Sequence, residues 1–174
     1  CVGINDVDAA QSVISHLVDK GYRRIALINH DLSYKYARLR ERGYKAALHA
    51  LSLEYQAVEY ASELSSSAGI AAMKTLLAAE VKPDAVFAVS DTLAAGAMRA
   101  IFDAGLQIPR DIAVVGFDGT ELAEMVSPQL STIEQPSRDI GRKAVGLLLN
   151  KIENPDAQTE RVMMDWRYIS RAST

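Results

Sequence analysis

Three short apolar runs limit the folds open to this chain: Ile25-Ala26-Leu27-Ile28, Ala85-Val86-Phe87-Ala88-Val89 and Ile112-Ala113-Val114-Val115-Gly116-Phe117. A strand with no polar side must be buried on both faces, and that is the pattern of a parallel sheet covered by helices. The stretches between the runs carry helical periodicity. Ala10, Val13, Ile14, Leu17 and Val18 form one stripe, with Asp6 or Asp8 as the expected cap and Gly21 as the stop. A second helix is predicted over residues 34–51, with Ala37, Tyr44, Ala47, Leu48 and Leu51 along one side. Gly43 inside it costs about 1 kcal/mol relative to alanine, so a close contact with a strand or another helix is expected there. Ala57-Val58-Glu59-Tyr60 alternates weakly as a further strand. Ser65 to Ser67 open a third helix striped by Ile70, Met73, Leu76 and Leu77, and a fourth starts at Ser90-Asp91 and stops at Gly105. Strands alternating with helices of this length predict an α/β fold, a doubly wound parallel sheet with right-handed crossovers.

In such a sheet, ligands bind beyond the carboxyl ends of the strands. The turns after Ile28, Val89 and Phe117 then share one edge. That brings Tyr34, Tyr36 or Arg40, Ser90 or Asp91, and Asp118 towards one cleft. Gly116 lets the backbone pass close to a neighbour. Asp118 stands where its strand ends, either as a ligand contact or as a turn carboxylate satisfied by its own Asp-Gly backbone.

Beyond Asp118 the pattern changes. Residues 121–126 form a short helical piece with Leu122, Met125 and Val126 apolar, ended by Pro128. Leu130-Ser131-Thr132-Ile133 is a strand. Pro136 begins a helix striped by Ile140, Ala144, Leu147 and Leu148, and Val162-Met163-Met164 and Arg167-Tyr168-Ile169 are late strands.

Composition removes several function classes. A net charge of -3 without a basic block argues against a broad nucleic-acid surface. The single cysteine, Cys1, precludes an internal disulfide framework and suits a reducing compartment. No apolar run approaches a membrane span, and no signal peptide is visible. His16, His30 and His49 lack metal-ligand spacing, so no metal is expected. No dinucleotide glycine fingerprint, phosphate-binding loop or nucleophile elbow is present, and Ser90 beside Asp91 lacks a base. A binding role without cofactor leads over an enzyme.

The motifs themselves resemble a known family over nearly the whole chain. They run in order: Leu17-Val18-Asp19-Lys20-Gly21-Tyr22-Arg23-Arg24-Ile25-Ala26; Arg40 with Gly43-Tyr44; Pro83-Asp84-Ala85-Val86-Phe87-Ala88-Val89-Ser90-Asp91 with Ala94, Gly96 and Ala97. Next come Ile108-Pro109 with Asp111-Ile112-Ala113-Val114-Val115-Gly116-Phe117-Asp118, then Ser127-Pro128 with Leu130-Ser131-Thr132-Ile133 and Gln135-Pro136, and last Ile169, Arg171 and Ser173-Thr174. This series resembles the effector-binding core of LacI/GalR-type bacterial transcription regulators.

The resemblance implies a type I periplasmic-binding-protein-like fold, in which two α/β lobes hold an effector of the sugar or nucleobase class. It implies that Arg40 and Asp118 contact the effector. Ser90 stands where many members have asparagine, and Leu64 where some place an aromatic lid; Tyr34 or Tyr36 is the alternative wall. Residues 1–174 then form a core fragment. About 7–127 belong to the carboxyl-terminal lobe, about 130–151 to an absent amino-terminal lobe, and about 160–174 return to the first. Operator binding is expected only from a helix-turn-helix outside this chain, in a cytoplasmic protein with no membrane contact. A homodimer is expected, with Leu122, Met125 and Val126 as contacts and the apolar Ile140, Leu147 and Leu148 left uncovered. The runner-up is a periplasmic-type sugar-binding protein of a transport system.

Overall fold

A computed structural model describes residues 1–156, 158 and 160–174. The strands are β1 (Val2–Gly3), β2 (Ile25–Asn29), β3 (Ala57–Tyr60), β4 (Ala85–Ala88), β5 (Ala113–Asp118), β6 (Ser131–Glu134), β7 (Val162–Met163) and β8 (Arg167–Ile169). The helices are α1 (Asp6–Asp19), α2 (Lys35–Ala50), α3 (Ser66–Ala78), α4 (Asp91–Asp103), α5 (Leu122–Met125) and α6 (Ser137–Glu153).

Six strands form one sheet in the order β3-β2-β4-β5-β6-β8. The first five are parallel, and β8 closes the edge antiparallel to β6. β2 and β4 are buried at every residue, as their unbroken apolar sequence requires. The chain runs from β2 outward to β3, then crosses back to β4 on the other side. The strand ends on either side of that reversal form the crevice where such sheets bind ligands.

Helix packing explains the cost at Gly43. A Cβ there would stand 2.4 Å from the Val7 carbonyl oxygen and 2.8 Å from the Ala10 Cβ, so the contact is helix against helix, α2 on α1. The cap of α1 differs from the expectation. Asn5 accepts from the Asp8 amide, because a cap residue must precede the helical turn and Asp6 is already within it. The Asp6 carboxylate is thereby free for Arg40.

The later strands also depart from expectation. Residues 131–134 were expected to leave with the following helix, yet β6 pairs in full register with β5, from Val115–Ser131 to Asp118–Glu134. The hydrogen-bonding edge of β5 holds β6 in the main sheet, and the chain departs only after Glu134. Helix α6 buries no residue; Val145, Leu148, Leu149 and Ile152 are exposed, while Ile140 reaches the core in part. Beside α6, β1 and β7 make a separate parallel pair.

Candidate functional site

Arg40 sits on the buried side of α2, in line with Ala37 and Tyr44, and is 5% exposed. A buried guanidinium needs partners. Its Nε donates to Asp6 Oδ1 at 2.9 Å and its Nη1 to the Val89 carbonyl at 2.6 Å, so three elements fix it. The Phe117 ring centroid lies 3.5 Å from its Cζ and the Tyr36 centroid 5.0 Å, two cation–π contacts on the guanidinium. Nη1 stands 3.7 Å from Asp118 Oδ1, an ion pair too long for a hydrogen bond.

Asp118 ends β5 with φ +109, a backbone region costly for a residue with a side chain. Its side chain keeps 35% exposure. Gln135 Nε2 donates to Oδ1 at 2.7 Å, and the Asp118 carbonyl accepts from the Gln135 amide. Burial pushes the carboxyl up to about 6; Arg40 and Gln135 oppose the rise, and Asp91 and Asp6 add to it. The bland alternative, a turn carboxylate bound by its own Asp-Gly backbone, is not what the geometry shows. A cavity of ≈730 Å³ opens here, lined by Asp118, Thr120, Gln135, Arg138 and Arg167 among others.

The aromatic residues gather on the other flank. Tyr34, half exposed, stacks on His30 with centroids 4.7 Å apart, and the Tyr36 hydroxyl lies 2.6 Å from His30 Nδ1. Tyr36 in turn faces Arg40, so Tyr34, His30, Tyr36 and Arg40 form one continuous shelf. Ser90 is buried, and its hydroxyl caps α4 by accepting from the Leu93 amide at 3.2 Å. Leu64 is exposed on the loop that follows β3.

The structure therefore brings Arg40, Asp118, Tyr36 and Tyr34 together, with Ser90 next to the carbonyl that Arg40 binds. Sequence reading passed over Asp6, His30 and Gln135. It took Asp6 for a cap and Gln135 for part of a motif. It also left Asp91 as an alternative to Ser90. Asp91 is 1% exposed and accepts from the Thr120 amide, the Thr120 hydroxyl and the Thr132 hydroxyl. Burial raises its pKa against the pull of those donors. Among the described residues no group of three or more His, Cys, Asp or Glu is placed to hold a metal, and no helix is long and apolar enough to cross a membrane.

Residues 14–174 match the family described as "Periplasmic binding protein-like domain". The ribose operon repressor of Escherichia coli (strain K12) is 38% identical over 159 residues, which cover 91% of this chain and 48% of the repressor. The chain belongs to the LacI/GalR family. It spans about half the length of the curated relatives it matches. Among solved LacI/GalR relatives, the transcriptional regulator CelR in complex with cellobiose is 31% identical with a TM-score of 0.95, covering 99% of this chain and 53% of that one. A LacI family regulator from Enterococcus faecium with bound ribose is 28% identical with a TM-score of 0.91, covering 99% and 64%. The fold expectation of a periplasmic-binding-protein-like α/β domain is borne out.

Proposed function

We propose that this LacI/GalR core senses a small-molecule effector, a sugar, and controls operator binding by a separate amino-terminal helix-turn-helix. The observation that carries the reading is the Arg40–Asp118 pair at the strand ends. Arg40 is locked by Asp6, Val89 and Phe117, while Asp118 keeps an open carboxylate face. A fixed guanidinium donates, and a carboxylate accepts from two hydroxyls at once, which is the chemistry of a polyol. The Tyr34–His30 shelf supplies an apolar face beside it. That relatives carry the words ribose and cellobiose supports a sugar over a nucleobase. Their being transcriptional repressors favours a regulator over a transport receptor, and no catalytic step belongs to this reading.

In this reading α6 and the β1–β7 pair belong to a second lobe that closes over the strand ends. Effector binding shifts the balance between open and closed states by its different affinity for the two. The regulator is a cytoplasmic homodimer. Met125, 80% exposed beside half-buried Leu122 and Val126, supports that edge as the dimer contact. Calorimetry on the intact regulator against D-ribose, cellobiose, adenine and uridine tests the site. One ligand binds, and Asp118→Ala weakens it by about a hundredfold, as expected for loss of charge-assisted hydrogen bonds. A variant that keeps the parent's affinity refutes the role of Asp118.

A further inference from the structure

The Asp91 side chain lies across β5 at Gly116. A Cβ at Gly116 would stand 2.4 Å from Asp91 Oδ1, so only glycine lets the carboxylate pass. On the far side Oδ1 accepts from the Thr132 hydroxyl at 2.6 Å, and Thr132 is the register partner of Gly116 on β6. The Thr132 oxygen accepts from the Gly119 amide at 3.3 Å. Asp91 Oδ2 meanwhile accepts from the Thr120 amide at 2.7 Å and the Thr120 hydroxyl at 2.9 Å. Both residues that follow Asp118 are thus tied to one buried carboxylate. Asp118 itself sits at φ +109 and Gly119 at φ +71, a turn that relaxes unless its surroundings hold it.

We propose that Asp91 is a positioning residue for Asp118: through Thr120 and Thr132 it locks the turn that keeps the Asp118 carboxylate beside Arg40. The inference rests on the reading of Asp118 as an effector contact for its consequence, since the lock presets the carboxylate before ligand arrives. The geometry of the lock stands without a ligand. Asp91 touches the hydroxyls and amides of the turn, and its own carboxylate is closed to a ligand by burial.

The test is ligand-free. Carbon NMR of the side-chain carboxyls in the intact regulator follows the Asp118 titration, with its midpoint at about 6 in the parent. Thr132→Val removes one of the two hydroxyls that join Asp91 to the turn, the one that reaches Gly119. Its Asp118 then titrates below the parent midpoint, because a loosened turn lets the carboxyl reach water. Thr132→Ser restores the parent midpoint. A purely structural role lowers melting temperature and leaves the midpoint of the folded protein unchanged, which overturns the proposal. Thr120→Ala against Thr120→Ser repeats the comparison with a milder change, should Thr132→Val fail to fold. If Asp118→Ala leaves effector affinity untouched, the site reading fails while the lock is still decided by these titrations.

Discussion

Asp91, the first residue of α4 beyond β4, and Asp118, the last of the adjacent parallel β5, both have pKa values raised by burial, and the protein uses them in opposite ways. Asp91 is enclosed, and both of its oxygens accept hydrogen bonds from within the fold. Asp118 holds one hydrogen bond from Gln135, an ion pair at 3.7 Å and a face open to the cavity. The residue type is the same; Asp118 closes β5 and Asp91 opens α4, and the count of committed acceptor sites differs. A carboxylate has roughly four lone-pair sites, and those the fold leaves empty are available to a ligand. The contrast separates a carboxylate that builds the site from one that reads the effector.

The largest effect that sharpens the contrast is on stability. Asp91→Ala leaves the buried Thr132 hydroxyl without its carboxylate acceptor and releases the Thr120 amide, and costs about 3 kcal/mol in urea denaturation. Asp118→Gly, by contrast, stays within about 1 kcal/mol of the parent, because relief of the positive-φ backbone offsets the lost Gln135 bond. Equal losses at the two positions break the distinction.

The smallest effect is with pH. The folded-state pKa of Asp118 is raised, so between about pH 4 and its folded value the folded chain holds more proton than the unfolded chain. Its contribution to stability therefore falls as pH rises from about 4 to about 6 and is level above that. Urea midpoints of the parent and Asp118→Asn across this window show the parent falling relative to the variant as pH rises. Effector affinity moves the other way and rises as the carboxylate ionises. An identical pH profile for both proteins contradicts the assigned burial.

The sequence carried the sheet well because its signal is local. The buried runs at Ile25, Ala85 and Ile112 lie on β2, β4 and β5, and Ser65 and Ser90 cap the helices they precede. The edge bearing Arg40 and Asp118 followed from strand direction and from the family motifs. What stayed hidden was long-range. Asp6 meets Arg40 across 34 positions, and Asp91 meets Thr132 across 41, and neither pairing leaves a periodic trace. The strand at residues 131–134 was legible, but its place in the main sheet was not, because a short strand looks alike in either lobe until β5 pairs with it. Helix α6 shows the converse limit: its apolar stripe is plain in sequence, yet periodicity names a face and not what covers it.

The most direct measurement is side-chain and backbone NMR of the intact regulator titrated with the sugar that calorimetry selects. The Arg40 Nε–Hε signal, the Gly119 amide and the Tyr34 ring are expected to shift together and saturate at one affinity. Shifts confined to α6 or to α5, with Arg40 and Gly119 unmoved, contradict an effector site at the ends of β4 and β5.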